Sequence, residues 1–482
     1  MRQILLLSAL FFLLVLFNAC DEEKVITPEQ NVDAANNGFQ SKAVAEIFAN
    51  SCATSGCHTG SNPSSGLSLK NFSDLMKGTS NRANGTVPNY GGEVVIPFRR
   101  QESLLYQMIT GNVTPISPHN NIALSSADID SIKNWIENGA RDFNGNVPFS
   151  NPLSYRVFVC DQGSDKVSVI DGSSNVVSRI VDVDFISNPD SPHMVKERGD
   201  YFYVTLIGSG KFLKVSKQNY EIVGEVDNIK KAGMIQISPD GNKAYVSRSS
   251  TSDPIFNSIY VIDINNMTLI KEIVLPWPVN GVPHGLALTP DGKKLYVANL
   301  TLSRIGIVDA ETDEATGDIG LPPGTEPMQT MISPDGNYLY VSARGTSKLI
   351  VLDTHTDALI TQVDVDGMPM QIAVTSDGNK IYLGSMMMHT VNVIQKNGIS
   401  WTRIKQISHA GFNMIHGCDI SSDDRYVYVS SRNTDGMFQP YFQVNGEGPP
   451  GTIGIIDAQT DEVVKIIEIE QFGSGLVVEK TN

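Results

Sequence analysis

Apolar and polar positions change rhythm along the chain. Residues 4–17, ILLLSALFFLLVLF, form an apolar run behind Arg2. The run is short for a membrane-spanning helix and has the length of a signal-peptide core. Helical spacing follows further on. Val44-Ala-Glu-Ile-Phe48 opens one short amphipathic segment and Ser103-Leu-Leu-Tyr106 another. Ser125-Ser-Ala-Asp128 reads as a capping box ahead of Ile129, Ile132, Trp135 and Ile136, with Gly139 as the stop. From about residue 155 the pattern becomes short apolar strands around a recurring turn. The turn is Ser238-Pro-Asp-Gly241, Thr289-Pro-Asp-Gly292, Ser333-Pro-Asp-Gly336, Thr375-Ser-Asp-Gly378 and Ser421-Ser-Asp-Asp424, returning every 42 to 51 residues. An apolar strand precedes each turn, and a strand ending in Tyr-Val follows, as in Tyr245-Val246, Tyr296-Val297 and Tyr340-Val341. A third strand closes on aspartate and a polar turn, as in Asp309-Ala-Glu-Thr-Asp313, Asp353-Thr-His-Thr-Asp357 and Asp457-Ala-Gln-Thr-Asp461, before a fourth completes the unit.

Four short strands at this period are the blade of a β-propeller. The Pro-Asp-Gly turns and Tyr296-Val-Ala-Asn299 resemble the YVTN family of propellers over residues 152–482. Inner strands are expected near residues 193, 233, 284, 328, 370, 416 and 474. The segment from Arg156 supplies strands two to four of a blade without an inner one. The last strand, Ser474-Gly-Leu-Val-Val-Glu479, is therefore expected to complete the first blade and close a seven-bladed ring, leaving no open edge.

Composition narrows the function. The 482 residues carry 36 Lys+Arg against 52 Asp+Glu, a net charge of −16, which argues against a nucleic-acid partner. Five cysteines in so long a chain do not make a disulfide scaffold. The first, Cys20, ends the apolar run in Asn18-Ala19-Cys20. This resembles the lipobox of bacterial lipoproteins, although Phe17 departs from the usual small or aliphatic residue. The resemblance implies that Cys20 is lipidated, that residues 1–20 are a lipoprotein signal and that 21–42 are a flexible tether. The following Asp21-Glu22-Glu23-Lys24 is similar to the acidic signal of surface-exposed lipoproteins. The expected location is the outer membrane, held by the lipid anchor and facing the periplasm or the outside. A plain cleaved secretory signal is the alternative.

Cys52-Ala-Thr-Ser-Gly-Cys57-His58 places two thiols and a histidine on one short turn. Covalent haem attachment needs that arrangement: two thiols for two vinyl groups and an imidazole under the iron. Four residues separate the cysteines where two are usual. With the helical segments around it, and with Ile132-Lys-Asn-Trp135-Ile136-Glu-Asn-Gly139-Ala140, the region resembles single-haem cytochrome c domains. That resemblance implies a small all-α domain over 43–148, haem c on Cys52 and Cys57, and His58 as axial ligand. The Met-Pro pair that usually supplies the second ligand is missing; the stretch is Pro115-Ile116-Ser117-Pro118-His119. His119 or Met108 is expected in its place. A disulfide beside a surface histidine is the competing reading, and zinc lacks a fourth ligand nearby.

The first residue of each inner strand should face the mouth of the propeller channel: His193, Gly233, His284, Met328, Met370, His416 and Ser474. Imidazole and thioether together suit copper, and imidazole suits haem iron, so His193, His284, His416, Met328 and Met370 form a candidate metal or second-haem site. Met194, Met386-Met-Met-His389, His409 and Met414 lie in loops of the same face. His355 belongs to a turn on the opposite one. The long loop from Arg432 to Gly451, with Phe438, Tyr441 and Phe442, reads as a lid or a partner-docking element. Cys160 and Cys418 fall inside strands and read as buried thiols. Three functions compete: a lipid-anchored cytochrome that hands electrons to a redox partner protein, an oxidoreductase with copper or a second haem in the propeller, and a non-redox surface protein recognising protein or glycan.

Overall fold

The computed structural model describes residues 36–79, 94–117, 119–150, 154–252 and 254–480. The apolar run, Cys20 and residues 21–35 of the expected tether lie outside them. No helix among the described residues is long and apolar enough to cross a membrane.

A small helical unit comes first. Helix Lys42–Ile47 starts on Ser41, whose Oγ accepts from the Val44 N–H, and runs into a π-helical turn, Phe48–Cys52. Helix Phe72–Met76 starts on Asn71, and helix Leu104–Ile109 follows. Helix Ser126–Glu137 carries the expected capping box, reciprocal between Ser125 and Asp128. Its buried residues Ile132, Trp135 and Ile136 meet Phe39, Phe48 and Leu75. Four aromatic rings, Phe39, Phe48, Phe72 and Trp135, pack tilted or edge to face at 5.3 to 6.4 Å and form the middle of this core. Gly139 ends the helix at φ +94°, where a side chain would run into Phe98 at 2.7 Å.

The rest of the chain is seven four-stranded antiparallel sheets. Inner strands run Pro192–Arg198, Ala232–Ile237, Pro283–Leu288, Pro327–Ile332, Pro369–Val374, Ile415–Ile420 and Gly473–Val478. The last pairs with Arg156–Asp161, Val157 opposite Val478, so the C-terminal strand closes the first blade and the ring, as the repeat count requires. Glu479 then fixes the closure: its carboxylate accepts from Arg156 Nε at 2.9 Å and from Lys217 Nζ at 2.8 Å.

The repeat signatures turn out to be two halves of one clamp between neighbouring blades. Tyr245, Tyr296 and Tyr382 are fully buried. Each hydroxyl donates to the closing aspartate of the next blade's polar turn: Tyr245 to Asp313 at 2.7 Å, Tyr296 to Asp357 at 2.7 Å, and Tyr382 to Asp461 at 2.5 Å. Lys243, Lys294 and Lys380 pair with the same three carboxylates at 2.6, 2.7 and 3.0 Å. Each aspartate sits at φ +56 to +58°, a conformation that Asp tolerates better than most residues.

Candidate functional site

The Cys52–His58 loop is closed by its own main chain. The Cys57 N–H donates to the Thr54 carbonyl at 3.0 Å and the His58 N–H to the Cys52 carbonyl at 3.2 Å, with Gly56 at φ +83° in the turn. Both cysteines are free thiols, Cys52 buried and Cys57 exposed. Burial, with the nearby Cys57, pushes the Cys52 thiol up to about 11.

His58 Nδ1 lies 3.2 Å from the Leu67 carbonyl, to which it donates, and this leaves Nε2 as the free lone pair. The His119 ring lies parallel to that of His58, the planes 5° apart and the centres 6.1 Å apart. The two imidazoles lie close enough that one bound group could be held by both. Burial lowers the pKa of His58 against the pull of main-chain bonds to Leu67 and Ser64. Burial and then the charge of His58 lower that of His119. His119 Nδ1 is buried without a hydrogen-bond partner. Both imidazoles are thus held neutral, the form that ligates metal. Met108, the other candidate, is taken up elsewhere: it packs against Leu104, Val113 and Phe442. Two thiols and an imidazole on one turn, with a second imidazole beside it, are the donor types that covalent haem would require.

The loop that reads as a lid is a strap. Its Gln443–Val444 forms a two-stranded sheet with Val113–Thr114 of the small unit, and the Asn445 N–H donates to the Asn112 carbonyl at 3.1 Å. Phe442 meets the ring of His119 edge to face at 5.7 Å. Ile96 enters the apolar core shared by blades one and seven, among Tyr155, Ile180 and Ile469. Arg99 pairs with Asp182 at 2.6 Å and Lys166 with Glu102 at 2.8 Å. The small unit thus sits on the seam where the ring closes.

The channel mouth brings three of the expected residues together. The His193 ring lies 5.9 Å from that of His284 and 5.6 Å from that of His416. All three are buried. His284 Nδ1 donates to the Met328 carbonyl at 2.9 Å and His193 Nδ1 to Gln162 Oε1 at 3.4 Å. His193 Nε2 has no partner, and neither ring nitrogen of His416 has a well-aligned one. Burial depresses all three, His284 to about 4 and the other two well below the usual imidazole value. Arg432, the first residue of the strap, adds to each depression, and burial lowers Arg432 itself to about 10.

The remaining expected residues do not join them. Met328 and Met370 pack in an apolar cluster with Val282, Leu300 and Met386. His389 and His409 accept main-chain N–H groups, from Met414 at 3.0 Å and Gly411 at 2.9 Å. Met194 Sδ accepts from Gln371 at 3.3 Å, Met387 and Met388 are exposed, and so is His355. As placed, no three nitrogens of His193, His284 and His416 converge within 4.8 Å of one another. Cys160 and Cys418 are buried free thiols. Two groups escape the sequence reading. The Leu67 carbonyl is main chain and carries no signal. Arg432 is visible only as the start of a loop.

No protein-family model matches the chain, and no curated protein does. Solved structures do. A protein of unknown function from Desulfotomaculum acetoxidans matches with a TM-score of 0.56 at 14% identity, over 68% of this chain and 100% of that one. The periplasmic gluconolactonase of Pseudomonas aeruginosa matches with a TM-score of 0.54 at 15% identity, over 67% and 98%. A protein from Lactobacillus plantarum gives 0.53 at 16%, over 68% and 100%. At these identities the likeness is one of fold, and fold does not carry activity.

Proposed function

We propose that this chain is an exported, lipid-anchored c-type cytochrome joined to a seven-bladed propeller, passing electrons to a redox partner protein at the periplasm or the cell surface. The observation that supports it most is the parallel pair His58 and His119 at 6.1 Å, with His58 directly following a turn that holds two free thiols. Haem c, when bound, supplies a one-electron carrier whose potential follows its axial ligands. The chain's own residues position and shield it. Cys52 and Cys57 offer the two attachment thiols. The Leu67 carbonyl accepts the Nδ1–H of His58, which would leave Nε2 as the ligating nitrogen and raise its basicity. Phe442 covers an edge of His119 and keeps water from that side. The spacing favours His119 over Met108, and two imidazoles lower the potential relative to imidazole and thioether. In this reading residues 1–20 are the signal, Cys20 the lipidated residue, 21–42 the tether, 43–148 the cytochrome domain and 152–482 the propeller.

A second reading, an oxidoreductase with a metal in the propeller mouth, draws on one observation. The Nδ1 bonds of His193 and His284 leave two Nε2 lone pairs free, as in metal-ligating histidines. Arg432 opposes it, since its charge repels a bare cation.

Expression with a c-type maturation system, followed by haem staining of the denatured protein, tests the first reading. The expected result is covalent haem in the wild-type chain and none in a Cys52→Ser/Cys57→Ser double variant. A colourless wild type overturns it and leaves the non-redox reading, a propeller face for protein or glycan recognition.

A further inference from the structure

A second group of chemistry-bearing residues lies between blades one and two, where no sequence motif points. The tight turn before Lys166 carries Asp165, and the connection between Asp182 and Pro192 carries Asp184 and Asp190. One carboxylate oxygen from each lies within 4.8 Å of the other two. Asp190 is wholly buried. Its Oδ2 accepts the Phe185 N–H at 2.7 Å and the Ile186 N–H at 3.1 Å, whereas Oδ1, equally buried, has no hydrogen-bond partner. Asp165, at φ +53°, accepts the Ser191 N–H at 2.7 Å. Among the described residues no lysine or arginine forms an ion pair with any of the three. The neighbouring Lys211 lies over the Phe185 ring at 4.9 Å and pairs with Glu225 and Asp227.

The geometry points to a calcium-type cation site formed by Asp165, Asp184 and Asp190. Three gathered carboxylates without a cationic partner repel one another, and a buried carboxylate oxygen without a donor is costly. A cation held between them removes both penalties. The donors are all oxygen, which selects a hard cation. Calcium, at about 2.3–2.6 Å from each oxygen, accepts ligands up to ~5 Å apart and tolerates irregular loop geometry. Magnesium demands near-ideal octahedra at about 2.0–2.1 Å, which carboxylates from two irregular connections meet less readily. The site also has a structural consequence. Ser191 and Pro192 lead from Asp190 directly to His193, so the cation would fasten blade one to blade two and fix the loop from which His193 enters the channel mouth.

Calorimetric titration and thermal unfolding of the full chain, stripped with EDTA and then given calcium chloride or magnesium chloride, test the proposal. The expected result is saturable one-to-one calcium binding that raises Tm, with magnesium weaker by about tenfold or more. Asp184 is exposed, so Asp184→Asn leaves the fold intact and weakens calcium binding by about tenfold or more. Asp165→Asn gives a second, independent reduction. No saturable calcium binding by the wild type, wild-type affinity in both variants, or equal affinity for magnesium overturns the proposal. None of these outcomes depends on haem content.

Discussion

Replacing Phe442 with alanine should unfasten the small unit from the propeller. The ring is 7% exposed, packs with Leu104 and Val113, and meets the His119 ring at 5.7 Å. Truncating a buried phenylalanine costs about 3–5 kcal/mol. Part of the burial lies within the strap, where Tyr441 stacks edge-on at 4.7 Å, so about 2–3 kcal/mol of that loss falls on the seam. At 1.4 kcal/mol per decade the seam then opens roughly 30- to 140-fold more often. The reporter is the short sheet that joins Val113–Thr114 to Gln443–Val444. Native-state amide exchange, read by mass spectrometry on peptides covering residues 112–114 and 443–445, should lose protection by that factor. The inner strand Pro283–Leu288, in a distant blade, should keep its protection and so control for global destabilisation. Unchanged exchange at the seam would refute the view that the strap holds the small unit through Phe442. The same variant should also loosen His119, which shares the ring contact.

Three further outcomes follow from named contacts. Tyr382→Phe removes the hydroxyl that donates to Asp461, with the Ala458 carbonyl 3.1 Å away, and should cost about 1–2 kcal/mol in denaturant unfolding. Tyr340→Phe should cost less, because that hydroxyl only accepts from Trp401 Nε1 at 3.4 Å. Burial alone would raise the Glu479 carboxyl, but bonds from Arg156 and Lys217 outweigh it and hold the group below the usual value of about 4.3. Its contribution to ring closure is therefore present above that value and is lost as pH falls through the depressed one. Glu479→Gln should cost roughly 3–5 kcal/mol near neutrality and flatten the acid limb of the stability profile; an unchanged acid limb would contradict the assignment. In haem-loaded protein, His119→Ala should abolish the six-coordinate low-spin spectrum, whereas Met108→Ala should leave it in place; the reverse pattern would transfer the ligand role to Met108.

The propeller is legible in the sequence because each blade repeats a local turn that short-range chemistry dictates. The closing strand can be read as well, since one blade lacks an inner strand and the C-terminus supplies one. What the repeat does not reveal is partnership. Tyr296 and Asp357 stand 61 residues apart, each in a locally sensible place, and their hydrogen bond becomes visible only once neighbouring blades stack. The strap is illegible for a similar reason. A two-residue strand such as Gln443–Val444 has no periodicity, and its partner lies in another unit. At the candidate sites, residue types were legible and convergence was not. His58 and His119 are brought together, their rings parallel and 6.1 Å apart. Met328 and Met370 take the same strand positions as the channel histidines yet turn into an apolar cluster, because thioethers pack at least as readily as they ligate. Asp190 carries no motif. Only its burial, with an oxygen left unpaired, singles it out.

In the proposed cytochrome, His58 and His119 would be the two residues that hold the haem iron. Absorption spectra of the oxidised and dithionite-reduced wild-type protein, matured with haem, test it most directly. The account predicts a c-type spectrum that is low-spin in both states and lacks the far-red band of methionine-ligated iron. Absence of haem, or a sulfur-ligation band in the oxidised protein, would contradict it.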